Sequence, residues 1–376
     1  MRLPLLGGLD AAAFLARYWQ KRPLLVRAAI PDFAGIVSRA DLIRLATRDD
    51  AETRLVARRG RQWTLRHGPF AARDFANLPA RQWTLLVQGL NHFIPAADAL
   101  LSQFDFIPRA RLDDVMVSYA VPGGGVGPHF DSYDVFLLQG PGRRRWRIGA
   151  QKDHELDPRA PLKILKRFDP EFDWVLEPGD MLYLPPGYAH DGIAVDECMT
   201  YSIGFRASPT QELAVAFLRH LEDTLDLDGR YADPDLEPQR HPAAIGDAMV
   251  EKAAAMLARV RWNDRDVARF LGQYLSEPKA TVTFSPPRRP LSAAQLNARC
   301  RRYGLRLSRR TIMLFRGGTL FINGEAHPLP AGDRRFLVDL ADRRSIATLP
   351  AISSATAAQV YDWYRAGYLM PGDANE

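Results

Sequence analysis

Cysteine is scarce in this chain of 376 residues, which contains only Cys198 and Cys300. Two cysteines cannot build the disulfide framework of a small secreted scaffold, and they are too few for a zinc site made of thiolates. The count therefore favours a protein of a reducing compartment, and we expect a cytoplasmic location.

Long apolar runs are also missing. No window approaches the roughly eighteen uninterrupted apolar residues that a membrane-spanning helix needs. The stretch "MRLPLLGGLDAAAFLARYWQKRP" has too short an apolar run, and the wrong flanks, for a signal peptide. We therefore expect no membrane association.

Lysine is rare relative to arginine, since only six of the 50 basic residues are lysines. The net charge of +6 and the pI near 9.4 invite a nucleic-acid reading, because basic surfaces attract phosphate. The arginines are scattered, however, and many stand among aspartates and glutamates. A composition shaped by a GC-rich genome explains this pattern equally well, so we expect no nucleic-acid partner.

The arrangement of short elements predicts several domains, as the length also does. Between about residues 83 and 205, short β-type runs alternate with Gly and Pro, which is typical of a sandwich or barrel. Helical patterns follow, and Ser208-Pro209-Thr210-Gln211 predicts a capping box with Pro at the first helical position. Near the C-terminus, Asn323-Gly324 predicts a type I′ hairpin.

These signals divide the chain into three parts. We predict a β-rich domain with N-terminal helices and strands over 1–207, a helical block over 208–276, and a Pro-rich linker with a small α+β module over 277–376.

A candidate metal site is present in "GPHFDSYDVFLLQ". Alternation along a strand places His129, Asp131, Tyr133 and Val135 on one face, so His129 and Asp131 can bind one metal ion. His190, in the rigid turn of "PPGYAHDG", is the candidate for a third ligand. Two histidines and one carboxylate form the facial triad of non-haem Fe(II) oxygenases. The plainer alternative is a half-buried strand with no ligand.

The run "RRRWRIG" follows a hairpin turn at Gly140-Pro141-Gly142. Alternation puts Arg143, Arg145 and Arg147 on one face, a pattern typical of a solvated surface, and Arg144 with Trp146 on the other. A buried Arg144 needs an anionic partner, and a guanidinium suits a carboxylate. Iron beside such an arginine favours a 2-oxoglutarate oxygenase; the alternative is a structural ion pair.

The strand "DDVMVSYAV" presents further candidates on one face. Ser118 is a candidate contact of the co-substrate carboxylate, and Asp114 suits a cationic side chain of a substrate. Met116 lies between them on the same face, and Tyr133 is a candidate wall of the substrate pocket. Ser202 is a further co-substrate candidate. The alternatives are an edge-strand Asp, a core-lining Ser and a packed Tyr.

These residues stand in stretches that resemble the bacterial ribosomal oxygenases. The matching stretches are "VPGGGVGPHFDSYDVFLLQGPGRRRWRIG", "LEPGDMLYLPPGYAHDGIA", "YSIGFRA", "RYWQKRPLLVR" and "RHGPF". Members of this family are JmjC-type enzymes that depend on 2-oxoglutarate and Fe(II). They use O₂ to hydroxylate an arginine side chain of a large-subunit ribosomal protein, number sixteen in the bacterial series.

The resemblance implies an α+β fold with a JmjC/cupin double-stranded β-helix barrel, a helical domain that forms a homodimer, and a C-terminal winged-helix-like domain. It implies hydroxylation at the β-carbon. His129, Asp131 and His190 match the family's iron ligands, and Arg144 and Ser118 match its co-substrate site. Asp114 and Tyr133 fall where the family holds the target arginine.

Two other functions remain open from the sequence. One is a metal-sensing cupin regulator whose C-terminal module binds DNA, which the basic pI favours. The other is a JmjC hydroxylase or demethylase that acts on a different protein.

Overall fold

A computed structural model describes residues 3–374. The predicted domains 1–207 and 277–376 therefore each include two terminal residues that lie outside the described part. The chain forms two compact units. The first comprises 1–207, 278–311 and 342–376, and the second comprises 208–277 and 312–341. The three-part division stays a prediction.

The helices and strands are short, and eight strands follow one another without a helix between Leu112 and Phe205. Up to residue 205 they are α1 (Ala11–Arg17), β1 (Leu24–Val26), α2 (Arg39–Ala46), β2 (Thr53–Arg59), β3 (Gln62–His67), α3 (Arg73–Ala76), β4 (Trp83–Val87), α4 (Pro95–Ser102), β5 (Leu112–Ala120), β6 (His129–Phe130), β7 (Val135–Gln139), β8 (Arg144–Gly149), β9 (Phe172–Leu176), β10 (Met181–Leu184), β11 (Ala189–Ala194) and β12 (Cys198–Phe205). They are followed by α5 (Thr210–Thr224), α6 (Asp247–Leu257), α7 (Asp264–Ser276), α8 (Ala293–Tyr303), β13 (Leu305–Leu307), β14 (Met313–Arg316), β15 (Thr319–Ile322), β16 (Glu325–Pro328), α9 (Arg334–Arg343), β17 (Ser345–Ile346), α10 (Ser354–Ala366) and β18 (Leu369–Pro371).

Two antiparallel sheets form the β-rich part of the first unit. The larger has the strand order β1-β10-β7-β12-β5-β4-β2-β3, and the smaller has the order β6-β11-β8-β9. Strand β7 explains how the layers are built: Phe136 and Leu138 point into the main core with α1 and α2, whereas Val135 and Leu137 pack with Trp146 of β8. Because both faces of β7 are covered, all five of its residues are buried.

The second unit consists of helices and a hairpin sheet. Phe217 of α5 packs against Phe270 of α7, with ring centroids 5.2 Å apart. The strands β14, β15 and β16 form one sheet, in which Ile322 pairs with Glu325 around Asn323-Gly324. Both turn residues have positive φ, as a type I′ turn requires, so the predicted hairpin is confirmed.

Two local predictions are wrong. Residue 209 is the N-cap of α5 rather than its first residue, and no side chain caps this end; Ser208 Oγ instead lies 3.0 Å from Tyr274 Oη. The strand that begins at His129 ends at Phe130, because β6 joins the smaller sheet and β7 the larger one.

The strands β2, β3 and β9 were not predicted from the sequence. In the part of the chain that the structure describes, no helix is long and apolar enough to cross a membrane.

Candidate active site

Pairing between β6 and β11 brings the two candidate histidines together. His129 and His190 are directly opposite each other in the register, and their ring centroids lie 4.2 Å apart. Asp131 follows β6, and its carbonyl accepts a hydrogen bond of 2.8 Å from the backbone N–H of Gly187. The Pro-Gly turn therefore fixes the loop that carries Asp131 next to the strand that carries His190.

Each of the three side chains directs a ligand atom to one point. The ligand atoms of His129, Asp131 and His190 all lie within 4.8 Å of one another, and Nε2 of His190 is 3.6 Å from Oδ2 of Asp131. In each histidine Nδ1 lies 2.9 Å from a backbone carbonyl, that of Gly127 or that of Tyr188. A carbonyl only accepts, so Nδ1 carries the proton and Nε2 presents its lone pair, which is the tautomer that binds a metal ion.

The electrostatic environment favours the same state of His190. Burial, together with the neighbouring His129, lowers the pKa of His190 to about 4. The imidazole is therefore neutral near pH 7, as a metal ligand must be.

Arg144 lies inside the barrel, as strand alternation predicts. It is 4 % exposed, and its guanidinium lies 5.8 Å from the ring centroid of Trp146. Its Nη1 donates a hydrogen bond of 3.0 Å to Ser118 Oγ, whereas Nε and Nη2 are buried without a hydrogen-bond partner. A buried guanidinium with unpartnered N–H groups is costly unless an anion binds there.

The distance between Arg144 and the histidines suits a short diacid. Across β8 and β11, Arg144 pairs with Ala194 and Ile148 pairs with His190. Arg144 therefore lies four residues, about 13 Å, along the strand from the level of His190. The Trp146 ring lies between the two levels, 5.9 Å from the His190 ring. The interval accommodates the arginine side chain and a molecule that reaches the metal-binding atoms.

The neighbouring arginines have ordinary surface partners. Arg143 pairs with Asp196, and Arg145 pairs with Asp173. Arg147 is partly covered and pairs with Asp191 at 2.6 Å. The single run of arginines thus contains one buried group and three paired groups at or near the surface.

The predicted face of β5 lines the same interior. Val115 and Val117 belong to the main core, so Asp114, Met116 and Ser118 point to the opposite side. Ser202 of β12 is paired with Met116 and is also buried. The Met116 sulfur lies 3.9 Å from a guanidinium nitrogen of Arg54.

Asp114 is a buried carboxylate at the other end of this face from Ser118. It accepts hydrogen bonds from Gln88 Nε2 at 3.1 and 3.2 Å and from Lys279 Nζ at 3.3 Å. Burial and the adjacent Asp113 raise the pKa of Asp114. Tyr133 lies two residues after Asp131 and is 39% exposed; partial burial, together with the nearby charges of Asp131, Asp114 and Asp113, raises the pKa of its phenol.

Gln88 and Lys279 were not singled out in the sequence. Gln88 ends an apolar strand, which is a weak signal for a polar group at a site. Lys279 lies in a Pro-rich stretch with no motif, and its contact with Asp114 joins positions 165 residues apart. Local patterns carry no information about such a pair.

Two family models match this chain. A model described as a JmjC domain matches residues 99–213, and one described as a ROXA-like winged helix matches residues 259–370. The predicted JmjC barrel and C-terminal winged-helix-like domain are confirmed by these matches.

Known proteins of similar sequence and structure support the same assignment. The Escherichia coli "Ribosomal protein uL16 3-hydroxylase" is 39% identical over 281 residues, which cover 74% of each chain. A "Probable ribosomal oxygenase" of Haemophilus influenzae is 40% identical over 65% of this chain and 59% of its own length.

A solved structure of the E. coli ribosomal oxygenase YcfD, in complex with cobalt and 2-oxoglutarate, is 33% identical with a TM-score of 0.82. The alignment covers 96% of this chain and 98% of that one. On the strength of these matches and of the geometry above, the chain belongs to the JmjC ribosomal oxygenase family.

Proposed function

We propose that this protein is an Fe(II)- and 2-oxoglutarate-dependent oxygenase that hydroxylates an arginine side chain of a large-subunit ribosomal protein. The observation that carries the proposal is the buried Arg144, whose unpartnered N–H groups lie in the same barrel as the His129, Asp131 and His190 cluster. An oxygenase of this kind needs a metal site and a cationic group for the 2-oxo acid inside the same barrel.

His129, Asp131 and His190 would hold the iron. The donor set is two neutral imidazoles and one carboxylate, which is the set used by non-haem Fe(II) oxygenases. When bound, the iron supplies the oxidation: O₂ is consumed, 2-oxoglutarate loses CO₂ to give succinate, and the substrate gains a hydroxyl. The two backbone carbonyls that accept from Nδ1 hold each imidazole in the orientation that binding requires.

Arg144 would bind the distal carboxylate of 2-oxoglutarate. Its Nε and Nη2 are free to donate two parallel hydrogen bonds to one carboxylate, which is the strongest neutralisation that a guanidinium offers. Ser118 orients the guanidinium through Nη1 and offers a hydroxyl to the same carboxylate. Ser202 lies on β12, the strand next to β5, and is paired with Met116. It is a second buried hydroxyl of this region.

The target arginine would bind between Asp114, Met116 and Tyr133. Asp114 offers a buried carboxylate for the guanidinium, and the partly exposed Tyr133, two residues after Asp131, would form an aromatic wall of the pocket. With the guanidinium held at this end, the aliphatic carbons of the side chain extend toward the metal ligands. The name of the E. coli relative specifies 3-hydroxylation, which supports attack at the β-carbon.

We further propose that the protein is a cytoplasmic homodimer that associates through the helical block. Among the described residues, 13 of the 20 exposed large hydrophobic side chains lie between Val215 and Leu271. Helix α6 buries none of its residues. Unpartnered apolar helix surfaces of this kind mark interaction sites, and a second copy of the chain is the occupant that the family resemblance implies.

Mass spectrometry of ribosomal proteins tests the function. Cells that express this protein should carry one added oxygen atom on a single arginine of a large-subunit protein, and cells that lack it should not. An Asp131→Ala variant should fail to restore the added oxygen, whereas an Asp196→Ala variant, changed at a surface ion pair, should restore it. Identical ribosomal masses in all strains would refute the ribosomal assignment.

A further inference from the structure

The carboxylate pair of Asp113 and Asp114 already holds a cation supplied by the chain itself. Lys279 Nζ lies 2.9 Å from Asp113 Oδ2 and 3.3 Å from Asp114 Oδ2. Burial opposes the charge of this ammonium, but the two carboxylates outweigh it, and the pKa of Lys279 is raised. The carboxylate suited to a substrate guanidinium is therefore neutralised internally.

Lys279 reaches Asp114 from the solvent side. The side chain of Asp114 is 5 % exposed, whereas that of Lys279 is 38 % exposed. Gln88 Nε2 donates to both oxygens of Asp114, at 3.2 and 3.1 Å. The buried carboxylate is thus held by an amide and by a partly exposed ammonium.

The segment that carries Lys279 has no regular structure to hold it there. It lies between α7 and α8, and a single turn, in which the N–H of Val282 donates to the carbonyl of Lys279, orders the residue locally. An ammonium on a flexible stem also makes only a point-charge contact, whereas a guanidinium can bind a carboxylate through two parallel hydrogen bonds. An arriving arginine therefore has the advantage in an exchange.

We propose that Lys279 is a placeholder for the cationic side chain of the substrate, which must displace it from Asp114, and that this exchange makes the site select for guanidinium groups. The inference rests on the proposed function for the identity of the substrate. A neutral side chain cannot enter without leaving either the ammonium or the carboxylate unpaired, which is unfavourable in a buried site. A substrate lysine replaces one ammonium by another and gains no further hydrogen bond.

Chemical labelling tests the displacement. The full-length protein is treated with an amine-acetylating reagent during a titration with L-argininamide, and the six lysines are quantified by peptide mass spectrometry. We expect acetylation of Lys279 to be slow at first and to rise as L-argininamide is added. The exposed Lys152 and Lys163 serve as internal controls whose labelling stays constant. L-Citrullinamide, which has the same shape and α-amine but an uncharged side chain, should leave Lys279 protected.

Calorimetry on a variant tests the competition. Lys279→Met keeps the aliphatic stem and removes the charge, so L-argininamide should bind about five-fold or more tightly than to the unchanged protein. Lys252→Met, changed on α6, should bind as the unchanged protein does. Constant labelling of Lys279 with L-argininamide, or equal or weaker binding to Lys279→Met, would each overturn the proposal. Neither readout needs catalysis, so a failure of ribosomal hydroxylation would be recorded separately by the mass of the ribosomal protein.

Discussion

Arg144 and Arg145 are adjacent in the chain and lie in opposite environments. Arg144 is buried beside Trp146 and Ser118, and Arg145 is exposed and pairs with Asp173. A buried guanidinium without an anionic partner does not stabilise the folded protein, because its desolvation is not offset. Such a group is retained where a ligand supplies the missing charge.

Replacement of Arg144 by Met should therefore weaken co-substrate binding without unfolding the barrel. Loss of two charge-assisted hydrogen bonds should raise the Kd for 2-oxoglutarate by about 100-fold or more. The measurement is calorimetric titration of the anaerobic Fe(II) protein. The melting temperature without 2-oxoglutarate should be unchanged or higher, since the variant no longer buries an unpaired charge. Arg145→Met is the matched control and should bind 2-oxoglutarate normally; equal effects of both substitutions would contradict the assignment.

Residues whose roles depend on local pattern could be predicted from the sequence. Alternation placed Arg144 with Trp146, and the Pro-Gly turn before His190 marked a rigid loop. The role of Lys279 could not be found this way, because its ion pair with Asp114 arises only when distant segments of the chain meet in the fold.

At the scale of the element, the pairing of β8 with β11 positions the site. Gly192 is directly opposite Trp146, and a Cβ atom at Gly192 would lie 2.6 Å from the Trp146 ring. The absence of a side chain at Gly192 therefore lets the indole pack closely against β11, between the levels of Arg144 and His190. The glycine has ordinary strand backbone geometry, so only this contact restricts substitution.

Gly192→Ala should displace Trp146 and disturb the co-substrate site. Overpacking of this kind costs about 1–3 kcal/mol of unfolding free energy. We expect the Kd for 2-oxoglutarate to rise about ten-fold, because the guanidinium over the indole moves with it. Urea unfolding and calorimetric titration measure the two effects. Gly332→Ala adds the same methyl where no atom lies within 4 Å and should change neither quantity; unaltered 2-oxoglutarate binding in Gly192→Ala would rule out this role of the indole.

Strands β7 and β2 show why one element could be predicted from the sequence and another was missed. The first four residues of strand β7 are apolar because both of its faces are covered, and the sequence showed this directly. Strand β2, "TRLVARR", carries three arginines, so no strand pattern is visible, although it pairs along its length with β3 and β4. The predicted capping box at Ser208 is wrong for a tertiary reason. The hydroxyl of Ser208 lies beside that of Tyr274, a residue distant in the sequence, and does not cap α5.

At the scale of the whole molecule, the apolar surface of the helical block gives the homodimer proposal its test. Val250 and Leu257 of α6 are 55% and 72% exposed and lie two turns apart on one face. The double substitution Val250→Glu and Leu257→Glu should change the mass in solution from twice the 42.2 kDa of the chain to that of a single chain. Analytical ultracentrifugation measures this mass.

The control for that experiment replaces an exposed apolar residue by Glu outside the helical block. Leu156→Glu replaces an exposed leucine of the first unit and should leave the dimer intact. A single-chain mass for the unchanged protein at micromolar concentration would count against the homodimer.

His92 makes the stability of the first unit depend on pH. Burial and the charge of Arg310 lower its pKa to about 4, from the usual 6.5. Between these values the unfolded chain binds a proton that the folded protein does not, so the free energy of unfolding falls as the pH drops from 6.5 toward 4. His92→Gln should reduce the loss between pH 7 and pH 5 by about 1–2 kcal/mol, measured by urea unfolding. His241→Gln, changed at an exposed histidine, should keep the full loss. An identical loss in His92→Gln and the unchanged protein would show that His92 is not the group responsible.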